Sequence, residues 1–282
     1  MSDPQFVFLN DAFVPLDEAR VPVLDRGFIF GDGIYEVVPV YGGRPFRIAE
    51  HLARLERSLA KVRIANPRDA AGWTHLIEQL VQRHPWPDQV VYLQVTRGVA
   101  RRDHAFPEGV APTVFAMSNP FVHVPPAVRA RGIAVVTLPD ERWLHCDIKS
   151  TSLLGNVLAR QAAVDAGAAE CVMFRNGFMT EGSASNIWVV RNGRVLGAVR
   201  DHLVLEGIRV GLMEALCAAC GLPLEFRNIT REEVFTADEL LSTSATKEVL
   251  PITSIDGRPV DTGVPGPIYA RLYAAYQEAK SA

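Results

Sequence analysis

Four short stretches hold side chains whose types could do covalent chemistry together. The first, RWLHCDIKSTSLLGNVLARQ (residues 142–161), carries Lys149 in a chain with only four lysines, Lys61, Lys149, Lys247 and Lys280, against twenty-five arginines. A lysine that loses its proton is a nucleophilic amine, which the permanently charged guanidinium of arginine cannot become. The chemistry that needs such an amine is Schiff-base formation with a carbonyl. Trp143, Leu144, Ile148, Leu153 and Leu154 are apolar neighbours expected to keep water from Lys149. The competing role is an ion pair with Asp147 or another carboxylate. Lys61 falls off the apolar stripe of its helix, Lys280 is two residues from the end, and Lys247 precedes an apolar run that could lie near a site.

A Schiff-base cofactor built on a pyridine ring and a phosphate requires more parts. A carboxylate must keep the ring nitrogen protonated, and the phosphate needs helix-start N–H groups, hydroxyls and an arginine. MTEGSASN offers Glu181 at a strand end, followed by Ser183 and Ser185. LVLEGIRVGL offers Gly207, Ile208 and Arg209 at a helix start, and STSATKE offers Ser244 and Thr246. Each stretch alone is an ordinary turn or helix start. Their occurrence together with Lys149 permits pyridoxal phosphate and leaves the ion-pair role of that lysine equally open.

The elements that must position these groups read as a mixed α+β pattern in two halves, not as the strand–helix alternation of a doubly wound fold. Residues 5–47 alternate strands and turns, with a tight Asn-Asp turn near the start and a hairpin around Gly42 and Gly43. Leu52, Leu55, Leu59 and Val62 repeat at helical spacing, and a second helix is expected near 70–83. QVVYLQVTRG, APTVFAMS and GIAVVTLP read as strands, with NPFVHVPP between the last two. That segment has three prolines and marks a linker at 120–126 between a small N-terminal α+β domain, 1–119, and a larger C-terminal domain, 127–282, carrying the lysine. A helix is expected at 151–167, hairpins turning at Asn176-Gly177 and Asn192-Gly193, and helices at 208–220 and 267–280.

Bulk properties exclude several classes. The 282 residues carry a formal net charge of −3, so the basic stripe of a general nucleic-acid binder is not expected. Apolar residues make up 48% of the chain, which permits a sizeable core, yet no run of them is long enough to span a membrane. The N-terminus has no cationic segment leading into an apolar one, so no secretory signal is expected. Cys217 and Cys220 have C-x-x-C spacing without two further ligands in register, so they are expected to be packing residues, and no metal site is anticipated. The four cysteines suit a reduced, cytoplasmic protein.

At this point six ordered motifs resemble one family. DRGFIFGDGIYEVVPVYGG, EHLARL, YLQVTRGVARRDHAFP, RWLHCDIKSTSLLGNVLA, TEGSASN and VLEGI are similar to those of class IV, fold-type IV pyridoxal-phosphate aminotransferases, most closely the branch acting on D-amino acids. The resemblance runs over nearly the whole chain. It implies a two-domain fold with mixed sheets and flanking helices, and transamination between a D-amino acid and a 2-oxo acid. Lys149 matches the lysine that forms the Schiff base and moves the substrate proton, and Glu181 the acid paired with the ring nitrogen. Arg54 matches the arginine on the phosphate, Gly207 and Ile208 the helix start beside it, Ser244 a nearby hydroxyl, and Leu205 the apolar residue on the ring. Tyr35, Arg102 and His104 match a trap for the substrate carboxylate. In the family the last two come from the neighbouring subunit, which implies a homodimer. Val37, facing the same way as Tyr35 if its strand alternates, is a candidate wall of the substrate pocket.

The chain departs from this pattern near the phosphate. Arg209 stands where relatives carry threonine, Ala245 replaces another threonine, and Ala184 stands where serine is frequent. Arg209 is therefore expected to supply a substitute contact. The alternatives on the same fold are a branched-chain L-amino-acid transaminase, which lacks the Arg-x-His trap, and an aminodeoxychorismate lyase. A non-catalytic carrier of the cofactor is a third.

Overall fold

Turn chemistry and period-two alternation build the first sheet. β1 (Phe6–Leu9) turns through Asn10, whose φ of 56° suits asparagine, into β2 (Ala12–Pro15). α1 (Arg26–Phe30) is a short helix whose first turn is capped by the Asp25 carboxylate accepting from the Gly27 N–H. β3 (Gly33–Tyr41) and β4 (Arg44–Pro45) form the hairpin expected at Gly42 and Gly43, both at positive φ. α2 (Ile48–Lys61), α3 (Ala70–Gln82), β5 (Gln89–Thr96) and β6 (Thr113–Pro120) follow. The strands make a six-stranded sheet in the order β2-β1-β6-β5-β3-β4.

The computed structural model describes residues 5–281, less the side chain of Arg209. The chain divides into two compact units, one of Met1–Val122 with Ile148–Leu153, the other of His123–Asp147 with Leu154–Ala282. In the first unit Leu52, Leu55 and Leu59 of α2 and Trp73, Ile77 and Leu80 of α3 bury against Ile34, Val38, Val91 and Leu93 of the sheet. Each such side chain contributes roughly 1.5–3 kcal/mol on burial. The opposite face of β3 carries Tyr35 and Val37, both half-buried, as the alternation requires.

Ile148–Leu153, which the chain order puts inside the expected C-terminal domain, packs in the first unit. Its backbone is claimed by β3. The Tyr35 N–H donates to the Lys149 carbonyl at 3.0 Å, the Thr151 N–H donates to the Gly33 carbonyl at 2.9 Å, and Ser150 bridges to Ile34. Those bonds hold residues 149–151 extended, so the helix expected from 151 starts later, at α5 (Leu154–Asp165).

The second unit contains α4 (Pro126–Arg131), β7 (Ile133–Pro139), α5, β8 (Glu170–Arg175), β9 (Phe178–Met179), β10 (Asn186–Arg191) and β11 (Arg194–Gly197). After these come α6 (Ile208–Ala219), β12 (Leu224–Phe226), α7 (Arg231–Phe235), β13 (Glu239–Ser244), β14 (Glu248–Ile255), β15 (Arg258–Pro259) and α8 (Pro267–Ser281). Its sheet runs β12-β11-β10-β13-β14-β7-β8-β9, with β15 on the side of β14. β7 is parallel to both β14 and β8, which makes the sheet mixed. β13 and β14 are buried along nearly their whole length. Their apolar runs have no alternation, which is why periodicity does not mark them. The proline-rich segment ends in α4, with proline at the helix start where its missing N–H costs nothing. No helix among the described residues is long and apolar enough to cross a membrane, and no group of three metal-ligating side chains occurs among them.

Candidate functional site

In the first unit, pairing with β3 delivers Lys149. Its Nζ lies over the Tyr35 ring at 4.2 Å from the centroid, and Tyr35 stacks on Tyr92 of β5 at 5.7 Å. Tyr92 donates to Gln94, and burial pushes its phenol up to about 12, so it stays protonated at neutral pH. The amine is half-buried. Trp143, Leu144 and Leu154 are 44%, 59% and 72% exposed, so the apolar screen expected of them does not form within their own unit.

Arg54 reaches the buried face of β3 from α2. Its Nε and one Nη fork onto Glu36 at 2.7 Å each, and His51 Nδ1 meets the same carboxylate at 2.8 Å. Glu36 is fully buried. Burial alone would raise its pKa, but the Arg54 guanidinium and then His51 hold it far below the usual carboxylate range. Arg102 and His104 lie in the exposed loop between β5 and β6, with the His104 ring 5.3 Å from Phe30.

In the second unit, Glu181 follows β9 and is 5% exposed. Arg142 pairs with it directly while forking onto Asp140 through Nε at 2.9 Å and Nη2 at 2.8 Å. Asp140 also accepts from Thr180 at 2.9 Å and pairs with Arg175 at 3.1 Å. The Leu205 N–H and the Asn186 amide complete the surroundings of Glu181, both at 3.3 Å. Burial pushes Glu181 up to about 7, against the pull of Arg142 and the Leu205 N–H. Much of the Arg142 charge is committed to Asp140, which explains why the pull does not prevail. A carboxyl group poised in this way can share a proton with a basic nitrogen placed against it.

Gly207 precedes α6 with extended backbone, and no side chain among the described residues caps the helix. Such an N-terminus presents its first N–H groups to an anion. The Ser244 hydroxyl ends β13 and accepts from the Lys247 N–H at 3.1 Å, so the 245–247 turn containing Ala245 folds back on it. Ser183 and Ser185, which the sequence offered as phosphate hydroxyls, donate instead to the buried Glu170, at 2.5 and 3.0 Å. Glu170 also accepts the Ser183 and Cys171 N–H groups, and so shapes the turn that follows Glu181. Burial pushes the Cys146, Cys171 and Cys217 thiols up to about 11, 12 and 12, so none is a candidate nucleophile.

The structure thus gathers Lys149, Tyr35 and Val37 on one side of β3 and Arg54 on the other, with Arg102 and His104 on a loop of the same unit. Glu181, Leu205, Gly207, Ile208, Ser244 and Ala245 belong to the second unit. The side chain of Arg209, expected to stand in for a missing hydroxyl, lies outside the described residues. Sequence reasoning missed Glu36, His51, Asp140, Arg142 and Asn186. Glu36, His51, Arg142 and Asn186 all stand inside the six motifs, but Glu36 meets His51 and Arg54 from another element and Arg142 meets Glu181 thirty-nine positions away, pairings that spacing alone does not disclose.

Residues 33–255 match the model of the amino-transferase class IV family. The chain belongs to that family, and its chemistry is amino-group transfer. It is 38% identical over 271 residues to a D-alanine aminotransferase of Bacillus licheniformis, covering 96% of this chain and 95% of the relative. It is 36% identical over 277 residues to a D-alanine aminotransferase of Staphylococcus aureus, with 96% of each covered. Among solved structures, a branched-chain amino acid aminotransferase of T.th. with pyridoxamine 5'-phosphate superposes with a TM-score of 0.90 at 25% identity, covering 99% of this chain and 95% of that one.

Proposed function

We propose that the protein transfers the amino group of a D-amino acid, of the D-alanine or D-glutamate type, to a 2-oxo acid, with pyridoxal phosphate as cofactor. The observation that carries this is full-length similarity to D-alanine aminotransferases at 38% identity. The residues present fit the cofactor. Glu181 is a buried carboxyl group poised near neutrality, and the α6 N-terminus is uncapped among the described residues.

When bound, pyridoxal phosphate supplies an aldehyde for the substrate amine and a ring that withdraws electrons from the α-carbon. Lys149 anchors the cofactor through Nζ and then carries the α-proton on that atom, which a guanidinium would not do. Glu181 holds the proton at the ring nitrogen, and Arg142 orients Glu181 from behind. Leu205 would supply the apolar side chain against the ring. The Gly207–Ile208 backbone, Ser244 and the 245 turn would hold the phosphate, with Arg209 in place of the absent hydroxyls, and Arg54, locked onto Glu36, is the arginine the family resemblance assigns to it. Tyr35, Arg102 and His104 take the substrate carboxylate, and Val37 borders its side chain.

We place Arg102 and His104 in the site of a second copy, so the active unit is a homodimer. Apolar side chains in water support association, Leu154, Val157 and Leu158 of α5 among them. We assign the domains as 1–119 and 127–282, joined by 120–126, with Ile148–Leu153 of the second packing in the first compact unit. Location in the cytoplasm suits its free cysteines.

The test is the visible absorbance of the bound cofactor before and after addition of D-alanine without any 2-oxo acid. Conversion by D-alanine and not by L-leucine is expected. The reverse pattern would move the protein to the branched-chain reading, which the similarity to branched-chain enzyme structures favours. A purified protein without the cofactor band, even after incubation with pyridoxal phosphate, would refute both.

A further inference from the structure

The motif DRGFIFGDG contains three charged groups; Asp25 caps α1, and the chemistry above gives Arg26 and Asp32 no work. Both are enclosed. Arg26 is 3% exposed, although it opens a five-residue helix at the edge of the unit. A guanidinium buried at such a place needs several acceptors. It finds Asp32 through Nε at 2.8 Å, the backbone carbonyl of Asp103 through Nη1 at 2.5 Å, and that of His104 through Nη2 at 3.5 Å. The last two belong to the loop that carries Arg102 and His104.

Asp32 ties that grip to the rest of the unit. It accepts from Arg97 Nε at 2.7 Å and Arg97 Nη2 at 2.9 Å, and Arg97 in turn donates to the Val62 carbonyl at the end of α2 at 2.8 Å. Phe106, two residues beyond His104 in the loop, lies under Arg97 at 3.6 Å and beside Arg63 at 4.7 Å. The Phe30 ring has Arg26 at 4.8 Å, Arg102 at 5.4 Å and the His104 ring at 5.3 Å. An otherwise exposed loop is therefore fixed at its backbone, at Phe106 and beneath the two side chains of interest.

We propose that Arg26 and Asp32 are positioning residues that set the loop of Arg102 and His104 in the shape that receives a substrate carboxylate, with Phe30 as the platform under both side chains. The inference rests on the reading of Arg102 and His104 as the carboxylate's partners. Forked recognition of a carboxylate depends on orientation, so a loop free to shift loses binding before it loses chemistry. The clamp is internal to one unit, and it acts on the pair whichever subunit's site they serve.

The test compares Arg26→Lys, Asp32→Asn, Phe106→Leu and Arg102→Ala as holoenzymes. It reads kcat and KM for D-alanine, Ki for propionate as a bare carboxylate, and cofactor absorbance. Lysine at 26 keeps the charge beside Asp32 but cannot reach two carbonyls at once. Arg26→Lys and Asp32→Asn are expected to raise KM and Ki together by about tenfold, with kcat within about threefold of wild type and the cofactor retained. Phe106→Leu, a surface change that leaves every buried charge in place, shifts both constants in the same direction if the two buried variants do not fold. Arg26→Lys has less than its single-variant effect on an Arg102→Ala background, because part of what it positions is then absent. Arg101→Ala, in the same loop, leaves KM unchanged. The proposal is overturned if KM and Ki stay at wild type in Arg26→Lys while Arg102→Ala raises them. It is also overturned if the two substitutions add, or if the clamp variants lose kcat and cofactor in proportion. If Arg102→Ala itself leaves both constants unchanged, the carboxylate reading falls and takes this inference with it, a pattern distinct from the others.

Discussion

Replacing Glu36 by glutamine tests the electrostatics beneath the site. Glu36 sits on the buried face of β3 between the Arg54 fork, at 2.7 Å on both oxygens, and His51 at 2.8 Å. Glutamine keeps the volume but removes the charge, and it turns an N–H₂ toward a guanidinium that has only donors. Two routes give the cost. Removing one partner of a buried pair typically costs about 3–5 kcal/mol, because the other charge is left uncompensated. Unit charges about 4 Å apart at an effective dielectric constant of about 20 interact by about 4 kcal/mol. The routes agree, and the loss falls on the first unit alone. In a chain of two compact units a single global unfolding free energy is a poor readout. Native-state hydrogen exchange of the amides of Tyr35, Glu36, Val37 and Val38 reads the relevant opening directly. A loss of about 3–5 kcal/mol speeds their exchange roughly a hundred- to several-thousandfold. Amides of β13 in the second unit are expected to keep their rates. Acceleration of less than about tenfold in β3 would show that Arg54 and His51 find other compensation, and the argument for a charge-locked Arg54 would fail. The Glu36 contribution is complete above its unfolded pKa near 4.5 and disappears as pH falls below that, since the folded value lies far lower.

Other outcomes follow from the same geometry. Glu181 is raised from 4.5 to about 7, so in the cofactor-free protein the folded state binds the extra proton, and stability falls as pH rises between those values. The amplitude is at most about 3 kcal/mol, and urea unfolding of Glu181→Gln across pH 4.5–8 is expected to lack that slope. Arg142→Met leaves Asp140 and Glu181 facing each other without their shared cation, and is expected to destabilise the second unit by about 3–5 kcal/mol, measured by exchange of β8 and β10 amides. Gly98→Ala would drive a Cβ into the Ala111 carbonyl oxygen at a φ of +96°. The cost is on the order of 3 kcal/mol, read as a lowered Tm, and the loop of Arg102 and His104 begins at that residue.

How much was legible in the sequence depended on distance along the chain. The hairpin turns at Asn10, Gly42-Gly43, Asn176-Gly177 and Asn192-Gly193 and the amphipathic helices α2 and α3 were all read from local residues, because turn conformation and helical period are local properties. β13 and β14 were not, because strands buried on both faces carry no alternation. The choice of Lys149 and Glu181 came from residue type and motif, and side-chain chemistry sets that choice.

Tertiary structure decided what surrounds those residues. Lys149 packs in the first unit because β3 takes its backbone, an assignment the chain order conceals. Ser183 and Ser185 are spent on Glu170 and not left for a ligand. Arg142 meets a glutamate thirty-nine positions away, and Arg26 a loop seventy-seven positions away. The physical reason is the same in each case. A buried charge or hydroxyl must be satisfied by whatever the folded backbone brings within about 3 Å. Sequence specifies which groups need partners, and the fold alone selects which partners they get.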